Sequence, residues 1–421
     1  MFSNLKQLFN RSNKDLRKRI YFTLFCLGIF SFGSTITLDL PAVANAFEEL
    51  EFLQIFNLIS GGGLKHFSIF ALGVSPYITA QIITQLLQMD VIPYFKELKE
   101  QGYTGKQKIN KITRYIGVLF SFIQGYIFIV MYSGTTAPLE ILKATVVVTA
   151  GTSLLLWIGD QITKRGIGNG LSLLIMAGII QSMPEIFKGA FTELTKLGSN
   201  NIMGIAFFVS FVIIYLLIIV GMVWVQLAER RIPIQYANRT NSAYGKHQNF
   251  LPIRINSAGV MPVIFATTLL AIPSTIINLI GNETAIEFAN KYLTNTTAIG
   301  FVIYILLIFF FGYFYTFLQM NPEEMSKNLS KSGAYIPGVR PGNDTIDYVS
   351  NILSKLTIVG SIFLVIIAGL PIVFSAVTNL ENATVTIGGT GLLIVVGVAI
   401  ETYKQLESSL ISRSHRAGIK R

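Results

Sequence analysis

The apolar positions of this chain run in long blocks separated by short polar segments, with no strand-like alternation. Ten stretches fit this pattern, roughly 20–38, 67–88, 115–133, 141–158, 168–187, 202–227, 256–280, 298–319, 353–378 and 386–410. Each is near the length that carries a helix across a hydrocarbon core about 30 Å thick. Backbone polar groups must be satisfied internally in that medium, so the blocks predict spanning α-helices. One region breaks the pattern. The stretch from Glu51 to Ile59, with Phe52, Ile55, Phe56 and Ile59, is apolar but too short to cross. Gly61, Gly62 and Gly63 follow it, and three glycines interrupt a helix and permit a hinge. A half-length piece of this kind either buries itself in protein or lies at the outer interface.

Composition agrees with the blocks. Of 421 residues, 52% are hydrophobic and only 13% charged, too few charges to cover a soluble surface. Ten spans return both termini to the same side, and loop charge identifies the side. The face holding the termini carries 27 Lys and Arg against 12 Asp and Glu, whereas the other face carries 5 against 10. The excess places both termini in the cytoplasm. The basic segment 1–19 before the first apolar block resembles the start of a signal peptide. No small-x-small cleavage site follows it, so the block is read as a retained first helix. Cys26 is the sole cysteine and excludes a disulfide within the chain.

Two cytoplasmic loops, about 228–255 and 321–351, are longer than connection requires. The first carries Arg230, Arg231, Arg239, Lys246 and Arg254. The second holds Arg340 inside Pro337-Gly338-Val339-Arg340-Pro341-Gly342, a run of turn-forming residues. A solvated basic face explains the charge, but a rigid turn around one arginine favours a docking surface.

Catalytic chemistry finds little support. His66, His247 and His415 fall outside the spans without common spacing, and HExxH, paired-cysteine and P-loop patterns are absent from the sequence. No metal, cofactor or enzymatic activity is expected. The glycines of Gly166-Ile167-Gly168-Asn169-Gly170 follow no strand and read as a short turn into the fifth helix, with Asn169 or Ser172 near its start. A secondary transporter is the rival from another class. Transporters usually carry ionisable groups at mid-membrane, yet spans 115–133, 202–227, 256–280 and 298–319 hold none beyond their ends. A charge-poor interior suits the passage of something long and chemically varied.

Several motifs then occur in one order. They are Ser68-Ile69-Phe70-Ala71-Leu72-Gly73-Val74-Ser75-Pro76-Tyr77, Gln85-Leu86-Leu87-Gln88-Met89-Asp90, Lys111-Ile112-Thr113-Arg114-Tyr115 and Trp157-Ile158-Gly159-Asp160-Gln161. Asn256-Ser257-Ala258-Gly259-Val260-Met261-Pro262, Lys331-Ser332-Gly333-Ala334-Tyr335-Ile336-Pro337 and Gly388-Gly389-Thr390-Gly391-Leu392 complete the set. Together they resemble the SecY family, the channel-forming subunits of the Sec preprotein translocase. The resemblance implies an all-α integral membrane fold of ten transmembrane helices in two pseudo-symmetric five-helix halves, 20–187 and 202–410, followed by a cytoplasmic tail, 411–421.

The implied function is a protein-conducting channel that passes unfolded preproteins and releases signal sequences and transmembrane segments sideways into membrane lipid. By position, Val74, Ile78, Ile175, Ile179, Ile264 and Ile394 would form its aliphatic pore ring. Thr79, Gln124 and Asn256 would stand at its lateral gate. The segment of about 51–63, with Phe52, Ile55, Phe56, Ile59, Gly61, Gly62 and Gly63, would be its plug. SecE would clamp the halves, SecG would lie at the periphery, and SecA ATPase or the ribosome would dock at Arg230, Arg231, Arg239 and Arg340. SecY proteins commonly carry an arginine late in the first helix, followed by a proline-rich stretch. Here the region from Phe30 to Asp39 has neither. That departure leaves open a general channel or an accessory paralogue for specialised substrates. The run from Gln85 to Val91 favours a bacterial plasma membrane over a plastid one.

Overall fold

The computed structural model describes residues 14–38, 57, 60–65, 67–88, 92–132, 137–197, 201–236, 249–280, 283–293, 297–378 and 384–419. Every predicted apolar block contains a helix. The elements in the first part of the chain are α1 (Lys14–Thr35), α2 (Ser75–Leu87), α3 (Pro93–Glu100), α4 (Tyr103–Tyr132), α5 (Pro138–Arg165) and α6 (Gly170–Leu197). After α7 (Asn201–Leu227) come β1 (Glu229–Tyr236), β2 (Asn249–Arg254), α8 (Met261–Ile280) and α9 (Glu283–Tyr292). The rest is α10 (Ala298–Gln319), α11 (Pro322–Lys331), β3 (Ala334–Tyr335), α12 (Asn343–Thr378) and α13 (Thr384–Ile419). Among the described residues, six helices are long and apolar enough to cross a membrane by themselves.

Helix lengths depart from the block lengths in an informative way. At 36 residues each, α12 and α13 rise about 54 Å, well beyond a hydrocarbon core of about 30 Å. Their surplus turns project from the bilayer, and α12 begins at Asn343, ten residues before its apolar block. The second block departs the other way. A helix was expected from residue 67, but α2 starts only at Ser75. Before it, Ala71 N–H donates to Ser68 O (2.9 Å) and Gly73 N–H to Phe70 O (2.8 Å), the i to i+3 bonds of successive turns. Gly73 sits at φ +54°, a conformation that ends a right-handed helix. Pro76 then opens α2 at a position where its missing N–H costs nothing.

Irregular backbone inside a membrane protein must be walled off from lipid. The turns of 67–74 are walled off on two sides. Residues 36–38 pair with them, with Leu38 N–H donating to Phe67 O (2.8 Å) and Ile69 N–H to Ile36 O (3.0 Å). A Cβ on Gly33 of α1 would collide with the Phe70 ring, and one on Gly151 of α5 would collide with Ile69 O, so both helices press directly on the turns.

The first core is continuous across the molecule, from Phe30 and Leu155 through Ile179 and Phe211 to Phe311, Leu364 and Leu393. Helix α6 packs along both α7 and α13, whereas α2 meets α8 over a much shorter stretch.

The described parts of the two long loops hold strands and a helix. β1 pairs antiparallel with β2 over 229–234 and with β3 at residues 235 and 236, giving a sheet of order β2-β1-β3. Ile232, Ile253, Leu329, Ala334, Ile336, Val349 and Leu353 bury one another beneath it. The loops therefore form one small body with its own core, seated on the projecting start of α12.

Candidate functional site

Three helices change character at the same level. On α2, the residues at helical spacing run Val74, Ile78, then Gln81, Gln85 and Gln88. On α13 they run Ile394, Val398, then Glu401 and Gln405, and on α6, which enters from the other direction, Asn169 and Ser172 precede Ile175. All of these residues line one cavity of about 960 Å³, together with Asn256, Val260 and Ile264 from the start of α8. The cavity is a funnel. Its mouth is polar, with Lys106, Asn110, Arg254 and Glu324, and its floor is aliphatic.

Five of the six aliphatic residues singled out in the sequence, Val74, Ile78, Ile175, Ile264 and Ile394, meet at this floor. They come from elements spread over the whole chain, and all are buried. Ile179 lies one turn beyond Ile175 on α6, buried in the same core but not on the cavity wall. Such a floor offers a passing solute no hydrogen bonds, so a narrow aliphatic neck stays dry when empty.

Local capping aims these elements. Asn169 Oδ1 accepts from Leu171 N–H (3.2 Å) and Thr163 Oγ1 accepts from Gly170 N–H (2.9 Å), so the α5–α6 turn is held from both helices. Thr23 Oγ1 of α1 accepts from Ile167 N–H (3.1 Å) in the same turn. At the mouth, Arg114 of α4 pairs with Asp160 of α5.

Beyond the floor lies the glycine segment. Ser60 and Leu64 are buried, and Gly61 stands at φ +71° against α6. A Cβ there would lie 3.1 Å from Gly178 Cα and 3.2 Å from Gln181 Oε1. Gly62 also has positive φ, and Gly63 is wedged against Ser68. Asn57 holds the turn together, its Oδ1 accepting from Lys65 N–H (2.9 Å) and its carbonyl from Gly62 N–H (2.9 Å). Lys65 Nζ in turn pairs with Glu185 Oε1 of α6 at 3.0 Å. Phe52, Ile55, Phe56 and Ile59 lie outside the described residues.

The three polar residues assigned to a lateral gate do not hydrogen-bond to one another. Thr79 is buried and donates to Ser75 O of its own helix (3.3 Å). Asn256 Nδ2 donates to Gly259 O (2.9 Å), closing the turn before α8. Gln124 of α4 has a buried Oε1 without a partner among the described residues.

Arg230, Arg231 and Arg340 are exposed on the sheet body, while Arg239 lies outside the described residues. The turn around Arg340 is rigid. Gly338 and Gly342 take φ of +82° and +106°, Thr345 Oγ1 donates to Arg340 O (2.8 Å), and Ser326 Oγ to Gly342 O (3.1 Å). Tyr335 Oη donates to Gln235 Oε1 (3.0 Å), tying the two former loops together. Sequence reasoning missed this union, the glutamine stripe of α2 and the Arg114–Asp160 pair. Only the stripe had a visible mark, three amides at positions 81, 85 and 88.

Comparison with known proteins follows the same outline. A sequence model of the SecY family matches residues 68–403. The protein translocase subunit SecY of Bacillus subtilis is 44% identical over 422 residues, covering 96% of this chain and 97% of that protein. SecY 1 of Lactobacillus kefiranofaciens is 40% identical, covering 99% of both. Among solved structures, a protein-conducting channel superposes with a TM-score of 0.67 at 19% identity, covering 96% of this chain and 94% of that one. The canine Sec61 channel in its ribosome complex gives 0.64 at 20% identity, with the same coverages. With helices, funnel and family motifs in one order, this multi-pass membrane chain belongs to the SecY family.

Proposed function

We propose that the chain is the protein-conducting channel of a bacterial translocase, passing unfolded proteins through the plasma membrane and releasing apolar segments sideways into lipid. The observation that carries this reading is the funnel, whose polar walls narrow onto five aliphatic side chains drawn from α6, α8, α13 and the start of α2. An aliphatic neck dewets and blocks ions, yet binds no passing side chain strongly. Val74, Ile78, Ile175, Ile179, Ile264 and Ile394 form this seal, and the segment of about 51–63 plugs it from the outer side. Both termini face the cytoplasm, as does the funnel mouth, in line with the excess of basic residues on that face.

The parting lies between α2 and α8, where packing is sparse. Thr79, Gln124 and Asn256 border it, and because Thr79 and Asn256 bond only within their own elements, an entering apolar helix breaks no hydrogen bond of theirs. Residues 20–187 and 202–410 move as the two halves, clamped by SecE with SecG at the rim. SecA or a ribosome docks on the sheet body through Arg230, Arg231, Arg239 and Arg340. Likeness to ribosome-bound Sec61 supports that side of the reading.

Planar-bilayer conductance tests the seal. Ile78→Asn, Ile179→Asn and Ile394→Asn combined supply hydrogen bonds to the neck, so water and ions enter and the resting channel leaks. Conductance equal to the unaltered protein's would overturn the seal.

A further inference from the structure

The glutamines of α2 have no role in the seal, yet they occupy the wall that leads to it. We infer that the α2 face carrying Gln81, Gln85 and Gln88 is a hydrogen-bonding track for the backbone of the entering chain, holding it extended as it approaches the isoleucine floor. This rests on the channel reading and adds to it a binding site for main-chain amides.

Position is the first argument. Gln81, Gln85 and Gln88 continue the stripe of Val74 and Ile78 on one helix face, and all five line the funnel. A chain sliding along α2 meets the amides and then the aliphatic floor without leaving that face.

Spacing is the second. With a rise of about 1.5 Å per residue, Gln81 and Gln85 stand about 6 Å apart along the axis. An extended chain presents like-facing backbone groups every two residues, about 6.6–6.8 Å. The small difference is within the reach of a side chain with three rotatable bonds. Gln81 and Gln85 therefore meet alternate peptide groups of one strand, and Gln88, about 4.5 Å further along the axis, meets the next by leaning outward along the chain.

Chemistry is the third. A glutamine both donates and accepts, as a peptide group does, and carries no charge. It replaces the water lost by a peptide bond while ignoring which side chain follows, which a carrier of varied sequences requires. The capacity is free. The Gln81 side chain forms no hydrogen bond among the described residues, and Gln85 Oε1, covered in this structure, has no partner among them and meets the chain once its amide turns into the funnel. Gln88 uses only one amide hydrogen, donated to Thr84 O at 3.0 Å. An unsatisfied buried carbonyl is costly unless something visits it.

The test uses the complete translocase in vesicles and an unfolded secretory protein in two forms, one with ordinary peptide bonds and one with a stretch of alternating ester bonds. Esters keep the shape of the chain but lack the N–H donor. Gln81→Met, Gln85→Met and Gln88→Met combined keep length and remove the amides. The expected result is a fall in translocation rate of roughly threefold or more for either change alone, about the worth of one net hydrogen bond. Combining them should add little, because both remove the same bonds. The ester substrate needs no altered protein, so a folding defect cannot imitate its effect. Equal rates for both substrates on the unaltered protein, or multiplying effects, overturn the track. A photoreactive residue at Leu171, across the funnel, separates this failure from that of the channel reading. Capture of a stalled chain without any rate effect overturns the track alone, and absence of capture overturns both.

Discussion

Two seams join the part of the molecule before residue 198 to the part after it, and they are built on opposite principles. At the α6 seam, rings interlock with α7. Phe191 meets Phe208 edge-on at 5.1 Å, and Phe187 meets Tyr215 at 5.5 Å. Ala190 and Leu194 have no exposed surface, and the other flank of α6 lies along α13. At the α2 seam, contact with α8 is brief, the funnel opens beside it, and Thr79 and Asn256 spend their hydrogen bonds within their own elements. Shape-fitted aromatic packing is lost all at once when separated. Polar groups already satisfied locally lose nothing when their neighbours leave. On the proposed channel reading, the first seam would persist as a hinge and the second would part.

The comparison breaks most easily where it claims most. Phe211→Ala removes a ring buried against Phe187 and Tyr215, and should cost about 3–5 kcal/mol. A pronounced fall in the midpoint of thermal unfolding in detergent is the expected result. Thr79→Val on α2 should cost no more than about 1 kcal/mol, since it deletes one bond to its own helix. Equal falls for the two variants would erase the distinction between the seams.

Gly61→Val probes the segment behind the floor. Positive φ disfavours a β-branched residue by about 1–2 kcal/mol, and its Cβ would press on Gly178. Amide hydrogen exchange over 60–65 should quicken roughly tenfold, the change that about 1.4 kcal/mol produces. Unchanged protection would mean that the seat against α6 does not depend on this backbone.

Glu185→Gln tests the ion pair with Lys65, which is 36% exposed on the lysine side and 59% on the glutamate side. Water screens such a pair, so the loss should stay below about 1 kcal/mol. Arg340→Glu should have the smallest effect on stability, within about 0.5 kcal/mol, because the arginine is exposed and its turn is held by the Thr345 and Ser326 hydroxyls on backbone carbonyls. SecA-driven translocation in vesicles should nevertheless fall, since reversal places like charges across the proposed docking contact. Normal ATP-driven transport would remove this turn from the docking surface.

Membrane character, the ten apolar blocks and the basic face were legible in the chain because each depends on residues near one another in sequence. A run of apolar residues has no alternative to burial in lipid or protein, whatever its neighbours. A start of α6 near Asn169 or Ser172 was legible for the same reason, since capping is local, and Asn169 is the residue that caps it. The turn-rich start of the second block was not. Phe67 to Val74 reads as the apolar start of a spanning block, and only the packing of Gly33 and Gly151 against it makes irregular backbone tolerable there. The strands were hidden as well. Pro233 argues against a central strand, but each stretch of β1 pairs on one side only, with β2 and then with β3. The funnel belongs wholly to the tertiary structure. Val74, Ile175, Ile264 and Ile394 are ordinary membrane aliphatics one by one, and the family motifs alone had suggested their union. What makes them a floor is that four distant elements change from polar to aliphatic at one depth, a coincidence in space that no local window of the chain contains.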